Sequence, residues 1–65
     1  MDAKVIAQRI VALRAGKSRK EVANACGIST SALAMYENGE RIPRDEIKVR
    51  LARYFNVTVE SIFYA

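Results

Sequence analysis

The sequence predicts an all-α fold, a compact bundle of about five short helices. Three observations lead there. Apolar residues recur at helical spacing in successive segments, residues that start or stop helices bound those segments, and the connections are too tight to leave room for a sheet.

The first segment runs from Asp2 to about Ala15, with Ala3, Ile6, Ile10 and Leu13 on one face and Lys4, Gln8 and Arg9 elsewhere. Asp2 suits its positive end, and Gly16 is expected to take the left-handed conformation that stops it. Ser18-Arg19-Lys20-Glu21 reads as a capping box for a short second helix burying Val22, Ala23 and Cys26. Gly27 interrupts, Ile28 adds an apolar residue, and Ser29 caps a third helix to about Glu37. Leu33 and Tyr36 are its core candidates, and Asn38-Gly39 closes it. Arg41-Ile42-Pro43-Arg44 is a loop, because Pro43 restricts the residue before it and cannot continue a helix. A fourth helix starts near Asp45, with Ile47, Leu51, Tyr54 and Phe55 spaced for burial and Asn56 ending it. Lys48, Arg50 and Arg53 on this helix read mostly as solubilising charge. Thr58 caps a last short helix carrying Val59, Ile62 and Phe63.

Sixty-five residues make one domain, 1–65, near the lower size at which a chain folds alone. A single Cys and no His leave neither a disulfide nor a structural zinc site, so helix packing and self-association must supply stability. The free Cys suits a reducing cytoplasm. Apolar runs reach only a few residues, too short to span a membrane, and the N-terminus lacks the apolar core of a signal peptide. A net charge of +4 is compatible with nucleic acid, and equally with many ordinary domains. With no His, no phosphate-binding Gly loop and no paired carboxylates in an evident cleft, no enzymatic activity, cofactor, metal or small-molecule effector is expected.

The informative stretch is Glu21 to Leu33, within a two-helix unit at about 18–37. Two short helices meet at a turn containing Gly27, and small Ala23 permits their close crossing. That geometry lets the second helix protrude into a major groove with its N-terminal residues at base edges. At this point the chain resembles the Cro/CI-type helix-turn-helix regulators, typified by lambdoid phage repressors. The matching residues are Ser18-Arg19-Lys20-Glu21-Val22-Ala23, Gly27-Ile28-Ser29, Tyr36-Glu37-Asn38-Gly39, Pro43 and Phe55-Asn56-Val57-Thr58. The resemblance runs from about Ile6 to Phe63 and implies a lambda-repressor-like DNA-binding domain. Two departures stand out. The connection from Leu13-Arg14 to Ser18 is about two residues shorter than usual, and Arg19 stands where the family often has a phosphate-binding Gln.

The resemblance implies base contacts from Thr30, Ser31 and Met35, with Ala34 near the groove. Hydroxyls discriminate bases poorly, and Ser29 to Glu37 holds no Arg, Asn or Gln, so sequence discrimination is expected to be modest and helped by DNA shape. Phosphate contacts are assigned to Lys17, Arg19 and Lys20 on one side, with Ser29 at the head of the third helix, and to Asn38, Arg41 and Arg44 on the other. For Lys17, Lys20 and Arg44 a purely solvated role weighs about equally. The resemblance also implies that Glu37 pairs with an arginine of the first helix, here Arg14, with Arg9 the alternative given the shortened connection. A terminal apolar cluster of Val57, Val59, Ile62, Phe63 and Tyr64 suggests a homodimer interface. The leading expectation is a cytoplasmic regulator, a homodimeric repressor on double-stranded DNA with a palindromic operator. The rival is a protein-interaction module, antitoxin-like or a co-regulator, using the same fold without specific DNA reading.

Overall fold

Four of the five helices begin where a side-chain oxygen takes up an amide that the first turn leaves free. In the computed structural model, which describes residues 1–65, Asp2 Oδ1 accepts from Lys4 N–H at 2.9 Å and Val5 N–H at 3.4 Å and opens α1 (Ala3–Arg14). Ser18 Oγ accepts from Glu21 N–H at 3.1 Å and opens α2 (Arg19–Cys26). Glu21 makes no return bond, so only half of the expected capping box forms. Ser29 Oγ accepts from Ala32 N–H at 3.0 Å and opens α3 (Thr30–Glu37). The fourth helix, α4 (Asp45–Phe55), has no side-chain cap and relies on Asp45 and Glu46 near its positive end. Thr58 Oγ1, accepting from Ser61 N–H at 3.1 Å, opens α5 (Val59–Phe63). Each such cap is worth about 1 kcal/mol.

The C-termini of α2, α3 and α4 close in the same way. A left-handed residue follows each helix: Gly27 at φ 69°, Gly39 at φ 74° and Asn56 at φ 58°. The next amide then reaches five residues back, from Ile28 to Ala23 O, Glu40 to Met35 O and Val57 to Ala52 O. The end of α1 departs from expectation. Positive φ falls on Ala15, at 50°, rather than on Gly16. The short connection turns between Arg14 and Lys17, whose amide donates to Arg14 O at 3.0 Å, and the strained inner position of that turn is the first one.

The core joins Ile6 and Ile10 of α1, Val22, Ala23 and Cys26 of α2, Leu33 and Tyr36 of α3, Ile47, Leu51 and Ala52 of α4, and Ile62 and Phe63 of α5. The outer helix α1 packs on α3 and α5, while α2 packs on α3 and α4. The whole measures 26 × 23 × 22 Å.

Two expectations change at the C-terminal end. Ile62 and Phe63, assigned to a subunit interface, are 2% exposed and belong to the core, because α5 folds back across α1 and α4. Arg9 holds that end down by donating to Ile62 O at 2.8 Å and Ala65 O at 2.9 Å. Lys48, read as solubilising, is buried instead. Its ammonium donates to Tyr64 Oη at 2.9 Å, lies 3.5 Å from Asp45 Oδ1, and sits 5.6 and 4.9 Å from the ring centres of Phe63 and Tyr64.

Candidate nucleic-acid interface

The capped start of α3 and its packing against α1 and α2 decide which of its residues face outward. Leu33, Tyr36 and Glu37 are buried; Thr30, Ser31 and Met35 are exposed, and Ala34 is half-buried beside them. At about 100° per residue the outward four span an arc of roughly 140°, separate from the buried one. This stripe presents two hydroxyls, a methyl group and, at 39% exposure, the thioether chain of Met35.

The basic residues divide by whether the fold already uses them. Arg9, Arg14, Arg19, Lys48 and Arg50 donate to protein acceptors. Lys4, Lys20, Arg41, Arg44 and Arg53 are exposed and make neither an ion pair nor a side-chain hydrogen bond. Lys17 is also exposed, with its ammonium 4.8 Å from the centre of the Tyr54 ring. Lys17 and Lys20 thus flank the head of α2, where the amides of Arg19 and Lys20 have no acceptor in the chain. On the other side, Arg41 and Arg44 border a groove of ≈ 580 Å³ that reaches Ser29 and Ala32 at the start of α3. Asn38 is exposed at the far end of α3.

Beneath this surface lies Glu37, whose side chain is 0% exposed. Arg14 grips it through two bonds, Nε to Oε2 at 2.7 Å and Nη2 to Oε1 at 3.1 Å. Arg19 adds a third, Nε to Oε1 at 2.7 Å. Arg14 also donates from Nη1 to Lys17 O at 2.8 Å, tying the α1–α2 connection to the same cluster. Burial pushes the Glu37 carboxyl up, but the hydrogen bonds and charges of Arg14 and Arg19 outweigh it and hold it below the ordinary carboxylate value. Of the two arginines open from the sequence, Arg14 is the partner of Glu37, while Arg9 serves the C-terminus.

Three residues beside this surface were not assigned from sequence. Arg50 lines the Arg41–Arg44 groove and donates to Cys26 O at 3.5 Å and Glu46 Oε1 at 3.3 Å. Lys4 and Gln8 share a second groove, of ≈ 500 Å³, with Asn38. All three sit on helices outside the two-helix unit, and the packing of α1 on α3 and of α4 on α2 brings them to it. No group of three His, Cys, Asp or Glu residues is arranged to hold a metal, and no helix is long and apolar enough to cross a membrane.

A helix-turn-helix family model matches residues 8–62, which contain all of α2, α3 and α4. No curated protein and no solved structure gives a match. The matched span covers most of the chain, and within it an eight-residue α3 follows a capped, Gly-turned α2. The protein belongs to the Cro/CI-type helix-turn-helix family of DNA-binding regulators.

Proposed function

We propose that the chain is a sequence-specific transcriptional repressor that acts as a homodimer on a palindromic operator in the cytoplasm. The observation that carries this reading is the outward stripe of α3, Thr30, Ser31, Ala34 and Met35, bracketed by cations that the fold leaves free. In this reading the stripe meets base edges, and Thr30 and Ser31 lie deepest because they are at the N-terminal end of the recognition helix. Lys17, Arg19, Lys20 and the Ser29 hydroxyl meet phosphates on one side; Asn38, Arg41 and Arg44 meet them on the other. These contacts carry most of the affinity, and the weakly discriminating stripe leaves part of the specificity to DNA shape and to half-site spacing of roughly 34–36 Å. With Ile62 and Phe63 in the core, the dimer surface reduces to half-buried Val57 and Val59 and exposed Tyr64.

The test is selection of bound sequences from randomised duplex DNA at two salt concentrations. A two-fold-symmetric motif, with affinity falling steeply as salt rises, is the expected result. Retention without any enriched motif would replace the operator reading with architectural binding. No retention even at low salt would favour a docking module, for which charge reversal at Lys20 and Arg41, both free of side-chain partners, would leave partner capture intact.

A further inference from the structure

We propose that Glu37 is a positioning residue for DNA binding: it holds Arg19 side-on so that the outer edge of the guanidinium is preset for a phosphate at the head of α2. The proposal rests on the DNA-binding reading and adds a role for a buried carboxylate that never touches DNA. Its warrant is the way the three nitrogens of Arg19 are divided. Nε donates to Glu37 Oε1 at 2.7 Å, while Nη1 and Nη2 have no partner in the chain. The Arg19 side chain is 43% exposed, whereas its carboxylate partner is sealed. The edge carrying both terminal nitrogens can fork onto two phosphate oxygens, so the inner contact and the outer contact do not compete. At the same helix start the amides of Arg19 and Lys20 are without acceptors. A free arginine would have to freeze its long side chain on binding; here Glu37 has ordered it beforehand. The charge balance supports the same role. Two arginines on one carboxylate leave the cluster with a surplus positive charge, and Arg14 already takes Glu37 through two bonds.

The experiment measures binding of the full chain to a fixed random-sequence duplex at low salt, because phosphate contacts do not depend on sequence. Arg19→Ala should weaken binding about tenfold and reduce the salt slope by about 0.9. Glu37→Gln should weaken it by about fivefold in the wild-type background but by less than about twofold once Arg19 is alanine, the signature of coupled residues. Equal losses in both backgrounds would make Glu37 a packing residue only and overturn the proposal. Failure of the wild-type chain to bind the duplex would instead remove the DNA reading itself. Since Glu37→Gln also loosens the fold, arginine side-chain NMR of the unaltered chain gives a second test. On addition of duplex, the Arg19 Nε–H signal should stay in place while its Nη protons shift and exchange more slowly. Movement of Nε–H to a solvent-like position would mean that Arg19 abandons Glu37 for the phosphate, which overturns the proposal.

Discussion

Glu37 and Lys48 are the two charged residues that the fold buries, and their surroundings are built on opposite plans. The carboxylate of Glu37 is met by arginines from α1 and α2, so one buried anion joins three helices. Lys48 finds its partners on its own helix and at the end of α5: the Tyr64 hydroxyl, the faces of Phe63 and Tyr64, and Asp45, itself almost fully exposed. The first cluster fixes how the helix-turn-helix sits on α1; the second fastens a chain end. Removing the anion strands two cations in a partly buried place, whereas removing the lysine frees a tyrosine, 57% exposed, that water can satisfy.

Four measurements would break or sharpen that contrast. The largest effect belongs to Glu37→Gln, expected to cost about 3 kcal/mol in urea unfolding at pH 7, since it leaves two partly buried arginines without their buried anion. Because Glu37 has a lower pKa folded than unfolded, its contribution is complete above the unfolded value of about 4.3 and is lost as pH falls toward the folded one. The gap between wild type and variant should therefore narrow in acid, and a constant gap would mean that packing, not charge, is responsible. Next comes Arg9→Ala, which removes the two bonds to Ile62 O and Ala65 O and should cost about 1.5 kcal/mol. Hydrogen exchange should then quicken in α5 and leave α3 unchanged; a spread into α3 would show that the two ends are not separate. Lys48→Met should stay within about 1 kcal/mol of wild type, because an apolar chain of similar length fills the same slot. Its hydrogen bond to Tyr64, opposed by burial and aided by Asp45, raises the Lys48 pKa, so its contribution is complete below about 10.4 and fades only as pH rises beyond that. Acid thus attacks one cluster and alkali the other. The smallest effect is a gain. Ala15→Gly relieves the positive φ at the Arg14–Lys17 turn and should raise stability by about 0.5 kcal/mol, after the added freedom of the unfolded chain is subtracted.

Local chemistry was legible in the sequence to the extent that it acts over one turn. Asp2, Ser18, Ser29 and Thr58 cap the helices they precede, and Gly27 and Asn56 adopt the left-handed conformation for which their types are suited. Helical spacing also picked Leu33 and Tyr36 for the core. The misreadings lie where the answer depends on a distant partner. Lys48 is spaced like a surface residue until Tyr64, sixteen positions on, arrives to cover it. Arg19 looks free at a helix start, and only the tertiary fold shows that Glu37, eighteen positions away, holds its Nε. Ile62 and Phe63 looked surplus to a small core because the sequence does not reveal that α5 returns to α1. At Ala15 the error is local but geometric: the shortened connection moves the strained position by one residue.

The lone thiol of Cys26 has a consequence of its own. It faces inward from the last turn of α2, its sulfur 3.9 Å from Arg50 O, and burial pushes its pKa up against the opposing charge of Arg50. A water-borne alkylating reagent can reach it only when the packing around α2 opens. The rate at which that single sulfur is capped in folded protein is therefore a chemical clock for the breathing of α2 against the rest of the fold, with no substitution in the sequence.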